Sequence, residues 1–145
     1  MSQIRVLFLC TGNSARSIIA EALLRSMGGP DFDAYSAGTQ PRGINPFTKQ
    51  VLEQAGQDSP DLRSKSMDEY IDQSFDYVIT VCDNAAEECP IFPGEPRRIH
   101  WSFTDPAAVE GADAVKLAAF QATWREMRRR IETFMPVARR ACARP

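Results

Sequence analysis

An apolar run, Val6 to Leu9, leads straight into Cys10-Thr11-Gly12-Asn13-Ser14-Ala15-Arg16-Ser17, and helical spacing begins at once with Ile18, Ile19, Ala22, Leu23 and Met27. The run shows no polar alternation, as expected of a parallel strand covered on both faces. The recurrence after it has the period of an amphipathic helix. The chain therefore opens with strand, tight loop and helix, and the loop carries a Cys-x5-Arg-Ser pattern.

That loop reads as an oxyanion cradle built from residues 11–17. Gly12 and Asn13 tolerate positive φ, so the backbone can curl and aim several N–H groups inward. The helix starting near Arg16 adds its positive end. Arg16 offers a planar fork of donors to a tetrahedral oxyanion. Cys10 stands at the rim, where the same donors are expected to lower its pKa and make it a nucleophile. Ser17 is placed to give the sulfur a further hydroxyl donor. Thr11, Gly12, Asn13, Ser14, Ala15, Arg16 and Ser17 are the expected substrate-binding residues. The Gly-Lys-[Ser/Thr] ending of a nucleotide-phosphate loop is absent.

Further strands are expected at Asp33 to Ala37, Tyr77 to Val81 and Arg97 to Trp101, with Gly38 breaking the second. Asn45-Pro46 reads as an N-cap followed by proline at the first helical position. Ser66-Met67-Asp68-Glu69 fits a capping box. In the last helix Leu117, Phe120, Trp124, Met127, Ile131 and Phe134 form a core-facing stripe. Arg125, Arg128, Arg129 and Arg130 fall on its other faces as a solvated surface. Pro136 is expected to end or kink that helix. The alternation implies an α/β fold with a parallel sheet and helices on both faces, and ligands bind beyond the carboxyl ends of such strands. Cys10 and Cys82 both lie at strand C-termini, hence on one edge of the molecule.

The 145 residues suggest a single domain, 1–145, with its core at about 4–135 and a loose tail at 137–145. A net charge of −2 gives no reason to expect a nucleic acid or membrane partner. The apolar run before Cys10 is too short for a signal peptide, so a cytoplasmic location is expected. There, four cysteines (10, 82, 89 and 142) suit catalysis or redox chemistry better than structural disulfides.

Asp105-Pro106 follows the fourth strand, where a carboxyl group could protonate a departing oxygen. Cys82 and Cys89 bracket a small and polar segment. On a helix they would share a face about 10 Å apart along the axis, whereas a disulfide needs Cα atoms within roughly 7 Å. A bond between them requires the segment to unwind. No metal is expected, because His100 is the one histidine and four well-spaced ligands are lacking. His100 reads as a strand-end packing or hydrogen-bonding residue, and Cys142 as a bystander.

The Cys10–Ser17 loop with Asp105-Pro106 resembles the low-molecular-weight protein tyrosine phosphatase superfamily. Tyr35-Ser36-Ala37-Gly38, Asn45-Pro46, Val81-Cys82, Cys89-Pro90 and His100-Trp101 narrow the resemblance to its thioredoxin-coupled arsenate reductases, over about residues 4–135. The resemblance implies a four-stranded parallel sheet and a stepwise reduction. Cys10 attacks arsenate held by residues 11–16, Asp105 protonates the leaving hydroxide, Cys82 attacks Cys10 and releases arsenite, and Cys89 attacks Cys82. Thioredoxin then reduces the 82–89 disulfide, with no tightly bound cofactor; glutathione with glutaredoxin, or mycothiol, are alternative donors. Ala107-Ala108 stand where the phosphatases carry aromatic residues, which favours a small inorganic oxyanion. Some of these reductases hold potassium through residues matching Asn13, Glu21 and Ser36 plus an acidic residue. Position 65 is lysine here, so its ammonium is expected to take the ion's place and pair with Glu21. Two other readings compete: a phosphatase needing only Cys10, Arg16 and Asp105, and a redox-responsive binding module.

Overall fold

The computed structural model describes residues 3–142. Strands and helices alternate as β1 (Ile4–Cys10), α1 (Arg16–Gly28), β2 (Phe32–Gly38), α2 (Pro46–Gln54), β3 (Tyr77–Thr80), α3 (Asp83–Glu88), β4 (Arg97–His100) and α4 (Asp113–Ala141). The strands form one parallel sheet in the order β2-β1-β3-β4. The central strand β1 pairs on both sides, and Val6, Leu7, Phe8 and Leu9 have no exposed surface. A strand with neighbours on both edges and cover on both faces has no position left for a polar side chain, hence the unbroken apolar run.

Side chains alternate across the sheet. Phe8 and Ser36 are register partners on one face. There Ser36 meets Glu21 of α1, and Phe8 packs on Trp101, which lies edge-on to Phe134 of α4. Leu7 and Tyr35 are partners on the other face, where Tyr35 joins Tyr70 and Phe75, and Phe75 meets Phe92. Burial of these two aromatic layers is the main force closing the sheet.

Several local expectations change. α4 runs through Pro136 to Ala141, so residues 137–141 are helix and not loose tail; 143–145 lie outside the described residues. Proline deletes one donor and crowds the carbonyl four residues back. Packing outweighs that cost: Phe134 and Ala138 are buried, and Arg139 holds Asp31 at 3.0 Å. The capping box forms by half. Ser66 accepts from the Asp68 N–H at 3.1 Å, but the Glu69 carboxylate turns to Arg63. Gly38 is the last residue of β2 and the register partner of Cys10. A Cβ there would lie 2.5 Å from the Thr11 carbonyl oxygen, so glycine is required by close approach and not by strand breaking.

Candidate active site

The loop after β1 is held from outside by its carbonyls. Gln40 N–H donates to Thr11 O at 2.8 Å, Arg42 N–H to Gly12 O at 2.9 Å, and Asn45 N–H to Ser14 O at 3.0 Å. The Ser64 and Thr48 hydroxyls donate to Gly12 O and Ser14 O at 3.2 and 2.8 Å. In a trans peptide the N–H points opposite to the C=O. With these carbonyls turned outward, the N–H groups of Gly12, Asn13 and Ala15 turn inward. Among the described residues these amides find no protein acceptor.

Asn13 makes the bend, with φ of 46°, a conformation its short polar side chain tolerates. Its amide donates to Ser17 Oγ at 2.8 Å and Ser36 Oγ at 3.0 Å, and its Oδ1 accepts from Lys65 N–H at 2.9 Å. Ser36 passes the network to Glu21 at 2.5 Å, and Glu21 pairs with Arg25 at 2.5 Å. Lys65 Nζ lies 3.5 Å from Glu21 Oε1, 3.4 Å from Ser36 Oγ and 2.9 Å from Arg63 O. Burial pushes the Lys65 ammonium pKa down, and Glu21 pulls it back up. The expected Lys65–Glu21 pairing is present. The donor set already surrounds a side-chain cation and does not fit a potassium ion. One sequence expectation changes here. Asn13 takes positive φ and Gly12 does not, while Ser17 Oγ accepts from Asn13.

A cavity of about 200 Å³ opens over the loop, lined by Cys10, Thr11, Ser14, Arg16, Arg42 and Asp105 among others. Arg16 is mostly buried. Its Nη1 donates to Phe103 O at 3.1 Å, Nη2 faces Asp105 Oδ2 at 3.7 Å, and Nε is buried without a partner. Asp105 caps the turn Pro106–Ala108 by accepting from Ala107 N–H at 3.0 Å. The one cluster that joins donors, sulfur and carboxyl is thus at the carboxyl edge of the sheet, as parallel topology requires.

Cys10 lines this cavity, Cys82 enters beside the loop with its sulfur 3.3 Å from Thr11 Oγ1, and all four cysteines are free thiols. The neighbouring Cys82 sulfur and then burial push the Cys10 pKa up, against the pull of Arg16. Cys82 is pushed down to about 5, first by the bond from Cys10, with the Thr11 hydroxyl at 3.3 Å and the Ala85 N–H adding to it. The two thiols titrate as a coupled pair, one ionising before the other. Sequence inspection could not see this, because Cys82 enters from another strand.

Cys82 and Cys89 flank α3, one as N-cap and the other as C-cap. Burial raises Cys89 and the nearby Arg98 opposes it. His100 bridges β3 and α3: Nδ1 lies 2.7 Å from Thr80 Oγ1, and Nε2 lies 3.0 Å from Asp83 Oδ1. Cys142 stands at the other end of the fold beside Arg97 and Gly94. The described residues contain no group of three or more His, Cys, Asp or Glu side chains placed to hold a metal, and no helix long and apolar enough to cross a membrane.

A profile of the low molecular weight phosphotyrosine protein phosphatases matches residues 5–140. The chain belongs to that family. Within it, the arsenate reductase of Halalkalibacterium halodurans is 40% identical over 129 residues, 89% of this chain and 93% of the relative. That of Bacillus subtilis is 37% identical over the same shares. A crystal structure of the Archaeoglobus fulgidus arsenate reductase aligns with a TM-score of 0.73 at 26% identity, covering 90% of this chain and 98% of that one. A thioredoxin-dependent arsenate reductase of Corynebacterium glutamicum aligns with a TM-score of 0.63 at 30% identity, covering 90% of this chain and 63% of that one. The expected family and its four-stranded parallel fold are both borne out. As a family member the chain also shows what sequence reading missed. Thr11 supports Cys82, Phe103 O orients Arg16, and Arg42 joins the cavity lining. Each depends on loops whose positions carry no periodic signal.

Proposed function

We propose that this protein reduces arsenate to arsenite through Cys10, Cys82 and Cys89, with a thioredoxin returning the enzyme to its dithiol state. The observation that carries this reading is the Cys82 sulfur 3.3 Å from the Thr11 hydroxyl, next to Cys10, at the edge of a cavity lined by oxyanion donors. A phosphatase needs one sulfur, Arg16 and Asp105, and gives Cys82 no task.

In this mechanism the inward amides of the loop and Arg16, whose Nε lacks a protein partner, hold the oxyanion. The Cys10 proton passes to an oxygen of the bound anion, which leaves Cys82 free to act as a thiolate in the later step. Cys10 sulfur attacks arsenic, and Asp105 protonates the departing oxygen. Cys82 then attacks the Cys10 sulfur. The sulfur–arsenic bond breaks with its electron pair going to arsenic, so arsenite leaves and a Cys10–Cys82 disulfide forms. Cys89 thiolate attacks Cys82 and expels Cys10 as thiolate, with no net change in oxidation state. A partner dithiol such as thioredoxin reduces the 82–89 bond. Ala107 and Ala108 at the rim leave no aromatic wall for a substrate ring, in keeping with a small oxyanion.

Disulfide mapping after one arsenate turnover without reductant should find Cys82 bonded to Cys89. Cys82→Ser and Cys89→Ser should each abolish multiple turnover while phosphate still binds. Unimpaired turnover in either variant would overturn the relay.

A further inference from the structure

Arg42 belongs to no expected site, yet its position over the loop is built. Its N–H donates to Gly12 O at 2.9 Å, and the next residue, Gly43, donates through its N–H to Ser64 Oγ at 3.1 Å. Ser64 in turn donates to the same Gly12 carbonyl at 3.2 Å. The main chain at 42–43 is thereby fixed to the cradle from two sides. The side-chain stem then runs past Gly12, its Cδ about 3.5 Å from where a Cβ on that glycine would stand.

Arg42 lines the 200 Å³ cavity together with Cys10, Arg16 and Asp105. Several arginines of the fold hold a carboxylate, Arg5 with Asp33, Arg25 with Glu21 and Arg139 with Asp31, while others such as Arg129 and Arg130 do not and lie away from this cavity. Among the described residues no carboxylate lies within ion-pair distance of Arg42. Asp105, the carboxylate of the cavity, faces Arg16 instead. Two guanidinium groups therefore share a small cavity with one carboxylate, and one of them is uncommitted.

We propose that Arg42 is a second anchor for the oxyanion, closing over the mouth of the cradle opposite Arg16 and selecting unsubstituted tetrahedral anions over phosphate monoesters. This rests on the reading of the site as an oxyanion reductase and adds a specificity residue to it. A free arsenate or phosphate presents oxygens toward the mouth, to which the guanidinium can donate two hydrogen bonds. A monoester must leave that path to its organic group and forfeits the contact.

Arg42→Met tests this, because it keeps the stem over Gly12 and removes the charge and its donors. The dissociation constant of inorganic phosphate, read by amide NMR titration of the reduced protein, should rise about ten-fold, the scale of one charge-assisted hydrogen bond. The KM for arsenate should rise by a similar factor, with the loss falling on KM and not on kcat. The inhibition constant of phenyl phosphate should rise less than three-fold. Arg42→Lys should recover part of the phosphate affinity. A phosphate affinity within two-fold of wild type in Arg42→Met overturns the proposal, and equal losses for phosphate and phenyl phosphate overturn its selectivity. Phosphate binding is read without any turnover. If the wild type fails to reduce arsenate but Arg42→Met still loses phosphate, the function has failed and the anchor has not.

Discussion

Cys10 and Cys82 are neighbouring sulfurs that ionise as a pair, and this governs how the site responds to pH. Each shifts the other, with Cys82 pushed below the ordinary thiol range and Cys10 above it. A group whose folded pKa is depressed stabilises the fold most above its unfolded value, and the contribution fades as pH falls through the folded value. Between about 9 and about 5 the wild type should therefore lose stability that a double variant, Cys10→Ser with Cys82→Ser, does not lose. Denaturant midpoints of the two proteins across that range check this; parallel curves would contradict it. Thiolate absorbance should show one sulfur ionised at neutral pH, and in Cys82→Ser the Cys10 pKa should fall, since Arg16 remains and the competing sulfur is gone. The catalytic loop was readable from Cys10 and Arg16 alone. The coupling of Cys10 to Cys82 was not, because it depends on a contact between strands.

At the scale of elements, α3 is the weak member. Six residues cannot form an independent helix in water. Ala85 is buried beneath it, and the edge strand β4 ties both ends. His100 holds Asp83 at 3.0 Å, and two residues earlier Arg98 holds Pro90 O at 2.6 Å. Cys89 precedes proline and is already extended, with φ of −63° and ψ of 119°. The sequence suggested two helical turns carrying both cysteines on one face. Pro90 explains the shorter helix, with the cysteines left at its borders. His100→Ala should speed amide exchange across 83–88 several-fold while β1 and α1 stay protected. Unchanged exchange would mean that Ala85 burial alone retains the helix. The same variant should pass the disulfide from Cys10–Cys82 to Cys82–Cys89 faster, as quench-flow mapping would show.

Over the whole molecule, the parallel strands and the α4 stripe were legible because buried strands and core-facing helices repeat with fixed periods; the strand order and the two aromatic layers, which join residues far apart in sequence, were not. The far end of α4 was not. Pro136 is a strong local stop signal, and only tertiary packing of Phe134 and Ala138 overrides it. Ala138→Asp should cost about 3–5 kcal/mol, the scale of an uncompensated buried charge. A loose tail would make the change nearly neutral, within about 0.5 kcal/mol; thermal or denaturant unfolding separates the two. The staples from 39–45 and 64–65 were likewise invisible, since they are loops brought together by strands far apart in sequence.

Those staples carry a kinetic meaning. Because the carbonyls of residues 11, 12 and 14 are already committed outward, the receptor for the anion is assembled when the chain folds, and no closing motion has to precede capture. Encounter should be governed by diffusion and charge steering, with residence time left to the strength of the grip.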